Sequence, residues 1–176
     1  GPGRPGEILV RGFNVMAGYF EDADRTAEAI DPDGWLHTGD VGTLDERGYL
    51  DITDRTKDMF ICGGFNAYPA EIESTLSEHP AVAQAAVVGV PDPRLGEVGF
   101  AFLVPATGTE PPSPDDMVAW ARETMANFKA PRHVRWVDSL PLNPSGKIQK
   151  FVLRDEAGDL LATPTATPDP DPGADA

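Results

Sequence analysis

Lys147 lies in the stretch LPLNPSGKIQK, residues 140–150, where Asn143, Pro144, Ser145 and Gly146 form a strong turn signal just before it. A lysine ammonium is a compact charge on a long stem. A turn that fixes the start of that stem lets it reach a phosphate or a carboxylate at a set distance. The same residues also suit an ordinary surface lysine behind a β-turn. PSGK is not a phosphate-binding P-loop, because it lacks the full GxxxxGK[ST] pattern. A second group is HTGD, in which Asp40 follows Gly39. A carboxylate there can accept hydrogen bonds from two vicinal hydroxyls or satisfy its own turn, and four residues alone favour the turn. The third group is DRTKD, where Arg55 and Lys57 stand between Asp54 and Asp58. It reads either as a ligand-binding arginine beside a hinge or as a solvated linker whose ion pairs contribute less than about 1 kcal/mol. GGFNAYP follows it, and Gly63 and Gly64 allow positive φ or a close approach of backbone to a ligand. That neighbour favours the functional reading.

Other chemistries find no support. His37, His79 and His133 are scattered without HExxH or another ligand spacing, so no metal site is indicated. The single cysteine, Cys62, excludes an intrachain disulfide and a thiolate zinc cluster, and its apolar context reads as core. No GxSxG nucleophile motif occurs. A formal net charge of -15 argues against a nucleic-acid-binding surface, although a pocket can be locally positive within an acidic protein. No apolar run approaches the roughly 18 residues of a membrane span, and the first residues lack a secretory pattern. A cytoplasmic protein with no transmembrane segment is expected.

The elements that must position these residues divide unevenly along the 176 residues. Residues 1–54 read as small-sheet and turn material, short of core for their length. They carry a strand at Glu7–Arg11, a short helix at Glu21–Ile30, and strands at Asp40–Leu44 and Tyr49–Ile52. So early a strand has few preceding residues to pair with. Residues 55–64 read as a hinge and glycine loop. A better balanced unit, α+β or α/β, spans residues 58–155: a helix from Pro69 to Glu78, strands at Val82–Val90 and Glu97–Val104, a helix capped by Ser113, and a strand at His133–Val137. Pro91 should stop the first of these strands. In the second helix Met117, Trp120, Ala121 and Met125 share roughly one side. Residues 156–176, ending in LATPTATPDPDPGADA, read as a disordered Pro/Asp/Thr tail.

Four separated stretches fall into a known order: GEILVRGFNVMAGYF, DGWLHTGDVGTLDERGYLDITDRTKDMFICGGFNAYPAEIE, HPAVAQAAVVGVPD and NFKAPRHVRWVDSLPLNPSGKIQK. Together they resemble the C-terminal third of the acyl-CoA synthetases, members of the adenylate-forming superfamily. The resemblance covers about residues 4–155. It implies an α+β fold: the small C-terminal domain, a central three-stranded sheet with flanking helices, preceded by the last small-sheet segment of a large N-terminal domain. It implies ATP and coenzyme A as co-substrates, a small carboxylic acid as substrate, and Mg2+ held mainly by the large domain. In such enzymes the acid is first joined to ATP as an acyl-adenylate. The small domain then rotates, and the acyl group passes to the coenzyme A thiol.

By that resemblance Asp40 binds the ribose hydroxyls, Arg55 contacts the ribose, Lys57 is the hinge residue, Gly63 and Gly64 line the pantetheine tunnel, and Lys147 serves adenylation. The Ser/Thr/Gly-rich phosphate loop and the Tyr-Gly-x-Thr-Glu segment of the family are absent from this sequence. The chain is therefore expected to be a piece of an ATP-dependent acid:CoA ligase, inactive alone. The wording of TKDMFICGGFNAYPAEIE and NFKAPRHV leans toward bacterial fatty-acyl ligases, and among them toward the actinobacterial group that activates propanoate side chains on steroid remnants. Two other readings remain: an adenylation-domain fragment that loads a carrier protein, and a non-catalytic interaction module that keeps the fold. A following carrier domain would favour the first and loss of Lys147 or Arg55 the second. Exposed strand edges leave homo-oligomerisation open.

Overall fold

The computed structural model describes residues 2–162. In chain order the elements are β1 Gly6–Val10, α1 Ala23–Ala29, β2 Leu36–Leu44, β3 Leu50–Arg55, β4 Phe60–Cys62, β5 Phe65–Ala67, α2 Pro69–Leu76, β6 Val82–Asp92, β7 Gly96–Pro105, α3 Pro114–Thr124, β8 His133–Trp136 and α4 Lys150–Ala162. β1, β2 and β3 form one antiparallel sheet in that order. The early strand thus pairs downstream, with β2. Asp31 and Asp45 build the turns at DPDG and DERG: each accepts two backbone N–H bonds through Oδ1, from Asp33 and Trp35 and from Arg47 and Tyr49. Val41 is the buried aliphatic residue of this sheet, whereas Leu9, Leu44, Leu50 and Ile52 are exposed. The thin core of this part follows from its composition.

The second sheet runs β5-β4-β7-β6, with β8 parallel to β7. Its β6, β7 and β8 are the expected three-stranded centre, and the β4–β5 hairpin is added where the sequence suggested only hinge and loop. Helices α2 and α4 pack on β6, and α3 packs on β8. Residues of β6 and β7 are buried in continuous runs, joined by Ile72 and Leu76 from α2, Met117 and Ala121 from α3, and Leu153 and Ala157 from α4. At the start of α3 the Ser113 hydroxyl accepts from Asp116 N at 3.2 Å, with Pro114 in the first turn. Trp120 and Met125 are only partly buried, yet both pack on the core.

Two expectations need correction. Pro91 does not end its strand: β6 continues to Asp92, with Pro91 in register with Glu97. β6 lies at the edge of the sheet, one of the few places where a strand accommodates proline. Residues 156–162, assigned to the tail, form the second half of α4. Leu153, Ala157 and Leu160 repeat at helical spacing against the core, and that burial outweighs the cost of Gly158 in mid-helix. The rest of the tail, residues 163–176, lies outside the described residues.

His133 begins β8, half-buried and stacked on Phe100 with ring centroids 5.6 Å apart. Burial lowers its pKa, and the Asp92 carboxylate opposes this only in part. A lowered folded-state pKa means that the unfolded chain binds the proton more readily. His133 therefore contributes stability above the unfolded value of about 6.5, and this is lost as pH falls through the folded value. Denaturant midpoints measured at pH 7 and pH 5 should fall less for His133→Gln than for the wild type. An equal fall in both would contradict the assignment.

Candidate nucleotide and carboxylate site

Asp40 and Arg55 meet across the first sheet. They are register partners on β2 and β3, and Arg55 Nε stands 3.3 Å from Asp40 Oδ1. Local geometry aims the carboxylate. Gly39 takes φ +71°, its N–H donates to Glu7 Oε1 at 3.2 Å, and Asp40 N donates to Thr38 Oγ1 at 3.1 Å. Thr38 Oγ1 in turn donates to Ile8 O at 2.7 Å, and Thr56 N donates to Gly39 O at 2.8 Å. Of the two readings open for HTGD, the turn-satisfying one fails, because the Asp40 carboxylate takes no backbone N–H among the described residues. It faces Arg55, and its remaining lone pairs are open to solvent. Arg55 is 64% exposed and keeps its terminal guanidinium donors unpaired among the described residues. An acceptor with free lone pairs beside a charged planar donor is well suited to a pair of vicinal hydroxyls and a nearby anion.

Lys57 follows at once, exposed, in a turn where Asp58 N and Met59 N both donate to Arg55 O. Gly63 and Gly64 then form the two-residue turn of the β4–β5 hairpin, with φ of +59° and +84° and Cys62 paired with Phe65. Two successive positive φ values suit glycine and match the twist of the flanking strands. A Cβ at Gly64 would meet nothing within 4 Å, so backbone sign, not crowding, asks for glycine here.

The turn carrying Lys147 is heavily tied. Asn143 Oδ1 accepts from Ser145 N, Ser145 Oγ and Lys147 N at 3.0, 2.8 and 2.8 Å. Asn143 N donates to Lys147 O at 2.9 Å, Gly146 takes φ +80°, and Leu142 bridges to Ile148. α4 starts three residues on, at Lys150, whose ammonium sits 2.8 Å from Glu73 Oε1 with both side chains under 20% exposed. Glu73 also accepts from Val87 N, so the base of the turn is fixed to α2 and β6. The Lys147 ammonium itself is exposed and has no partner among the described residues. Its frame is rigid and its charge is free.

The structure thus joins Asp40 to Arg55, while no hydrogen bond or ion pair among the described residues links Lys147, Lys57 or the glycine turn to that pair. No local pattern points to the Lys150–Glu73 pair, since its partners lie on different helices. Among the described residues no group of three or more His, Cys, Asp or Glu could hold a metal ion. No helix among them is long and apolar enough to cross a membrane.

A family model described as the AMP-binding enzyme C-terminal domain matches residues 71–147. Among curated proteins, the 3-[(3aS,4S,7aS)-7a-methyl-1,5-dioxo-octahydro-1H-inden-4-yl]propanoyl:CoA ligase of Rhodococcus jostii (strain RHA1) is 63% identical over 154 residues, 88% of this chain and 30% of that protein. A feruloyl-CoA synthase of an Amycolatopsis species is 50% identical over 157 residues, 89% of this chain and 32% of that protein. Among solved structures, ATP-bound MatB from Rhodopseudomonas palustris matches with a TM-score of 0.84 at 41% identity, over 91% of this chain and 32% of its own. The apo form of MatB matches at the same identity and coverage with a TM-score of 0.65. The chain spans about a third of the length of the relatives it matches. The matched domain, the identity to acyl-CoA ligases and the shared fold agree: residues 71–147 carry the C-terminal domain of AMP-binding enzymes, and the chain matches the C-terminal part of the adenylate-forming enzymes.

Proposed function

We propose that this chain serves an ATP-dependent acid:CoA ligase, with residues 1–54 completing a nucleotide site, residues 55–64 forming the hinge and glycine loop, and the unit from residue 58 onward carrying the adenylation lysine. The observation that carries this reading is the free Lys147 ammonium on a turn held by Asn143. In the first reaction a carboxylate oxygen attacks the α-phosphorus of ATP, the bond to the bridging oxygen breaks, and pyrophosphate leaves. Attacking and attacked groups are both anionic, so a fixed cation that touches both lowers the repulsion and orients them. Lys147 takes that role. Asp40 accepts from the ribose hydroxyls, and Arg55 holds Asp40 while its free donors meet the nucleotide. In the second reaction the coenzyme A sulfur attacks the acyl carbonyl and AMP leaves. Gly63 and Gly64 border the pantetheine path, and Lys57 is the pivot between the two arrangements.

The substrate we assign is a propanoate borne on a saturated dioxo-octahydroindene bicycle. The Rhodococcus jostii ligase, named for that acyl group, shares 63% identity, against 50% for the feruloyl-CoA synthase. A full-length ligase carrying these residues, assayed for AMP and acyl-CoA across bicyclic propanoates, ferulate and fatty acids, should prefer the bicyclic acid. Preference for ferulate would overturn the substrate, and carboxylate-independent AMP release would overturn the ligase. The 176-residue chain by itself should release no pyrophosphate.

A further inference from the structure

α2 starts without a cap of its own. Its N-cap residue is Tyr68, which makes no side-chain cap bond, so the first N–H groups need an acceptor from elsewhere. Asp54 supplies it from the other sheet: Oδ2 accepts from Ala70 N at 2.8 Å, while Oδ1 accepts from Arg55 N at 2.7 Å. At 8% exposure Asp54 is the one buried charged side chain among the described residues. A buried carboxylate with both oxygens occupied, one at a helix N-terminus, is well satisfied.

The surroundings give this contact weight. Between the two sheets lies a cleft of about 480 Å³ lined by Thr43, Thr53, Asn66, Tyr68, Glu71 and Lys129, among others. The sheets therefore do not meet there in a packed apolar seam, and a directed hydrogen bond carries a larger share of their alignment. Asp54 also adjoins Arg55 on β3, and successive side chains of a strand point to opposite faces. One strand end thus holds the Asp40–Arg55 pair on one side and α2 on the other. This chain matches ATP-bound MatB more closely than apo MatB, at equal identity and coverage.

We infer that Asp54 is a positioning residue: a latch that holds the helix-bearing unit against the nucleotide-binding sheet during adenylation and must let go of Ala70 before the thioester step. This rests on the ligase reading for its kinetic consequence, but the latch itself is a contact that needs no nucleotide. Losing such a cap shifts the balance between latched and released arrangements by about fivefold or more.

The test uses Asp54→Ala and the isosteric Asp54→Asn in two settings. In the full-length ligase, carboxylate-dependent ATP–pyrophosphate exchange should fall about fivefold for Asp54→Ala, with Asp54→Asn between it and wild type. Conversion of supplied acyl-adenylate to acyl-CoA should be unchanged or faster. Equal loss in both half-reactions would reduce Asp54 to a purely structural residue and overturn the latch, as would no change in either. In the 176-residue chain, spin labels at Arg47→Cys and Ser77→Cys report the distance between the units, with buried Cys62 left unlabelled. One narrow distance distribution in the parent, broadened in Asp54→Ala, supports the latch even if the enzyme activates no acid. An unchanged distribution overturns it while leaving the ligase reading intact.

Discussion

Phe60→Ala is expected to destabilise the α2–α4 unit by about 3–5 kcal/mol, a large part of the roughly 5–15 kcal/mol that holds an ordinary domain together. The Phe60 ring is 1% exposed and lies over Gly89 and Gly99, which face each other as register partners on β6 and β7. A Cβ built on Gly89 would stand 2.4 Å from Phe60 Cβ, and one on Gly99 would stand 3.3 Å from Phe60 Cζ. The glycine pair therefore makes a recess that the ring fills, and truncation leaves a cavity that two backbone strands cannot close. Gly89→Ala should be severely destabilising for the complementary reason, since neither a strand backbone nor the Cβ of Phe60 can yield by the distance required. Guanidinium unfolding of each single variant and of the double variant checks both. The double variant should be about as destabilised as the sum of the singles, because alanine at position 60 keeps the Cβ that stands 2.4 Å from the new one and removes only the Cγ contact at 2.9 Å. A Phe60→Ala loss below about 1 kcal/mol would contradict the packing described.

The same recess explains part of what was legible in the sequence. Alternation, caps and turn residues locate β6, β7, α2 and α3 to within a few residues, because each element's pattern is local. Glycines inside two strands signal a close approach, but nothing local names Phe60 as the neighbour. α4 was hidden for a related reason: Gly158 interrupts it, and Leu153, Ala157 and Leu160 make only a narrow stripe. Three-residue strands such as β4 and β5 are too short to show a period, so the glycine turn passes for linker. Of the candidate site, Asp40, Arg55 and Lys147 are visible as residues in motifs, whereas the Asp40–Arg55 contact depends on the β2–β3 register. Asp54 stands in plain view in DRTKD. Its contact with α2 could have been suspected only by noting that Tyr68 cannot cap the helix it precedes.

Lys147→Ala carries the largest expected effect on activity. In a full-length ligase containing these residues, adenylation should slow by about 10²–10³-fold, the range found when a fixed charge-stabilising donor is removed from a transition state. Two features of the turn support so large a loss. Its backbone is fixed by Asn143 and anchored through the Lys150–Glu73 pair, so the ammonium is delivered at little entropic cost. Among the described residues no second cation shares the turn to replace it. Asn143→Ala should lower the same rate by a smaller factor, because the charge remains while its base loosens. Lys147→Arg should not restore it fully, since a planar guanidinium does not place charge where an ammonium does. Circular dichroism should be unchanged in both Lys147 variants, because Lys147 is exposed and unpaired among the described residues.

The most direct measurement separates the two half-reactions in that Lys147→Ala enzyme. Carboxylate-dependent ATP–pyrophosphate exchange reports the first, and conversion of supplied acyl-adenylate to acyl-CoA with release of AMP reports the second. Exchange that collapses while the supplied adenylate still forms thioester at close to the wild-type rate is the result predicted here. Exchange that survives, or the loss of both reactions together, would contradict the role given to Lys147 and the two-step account built on it.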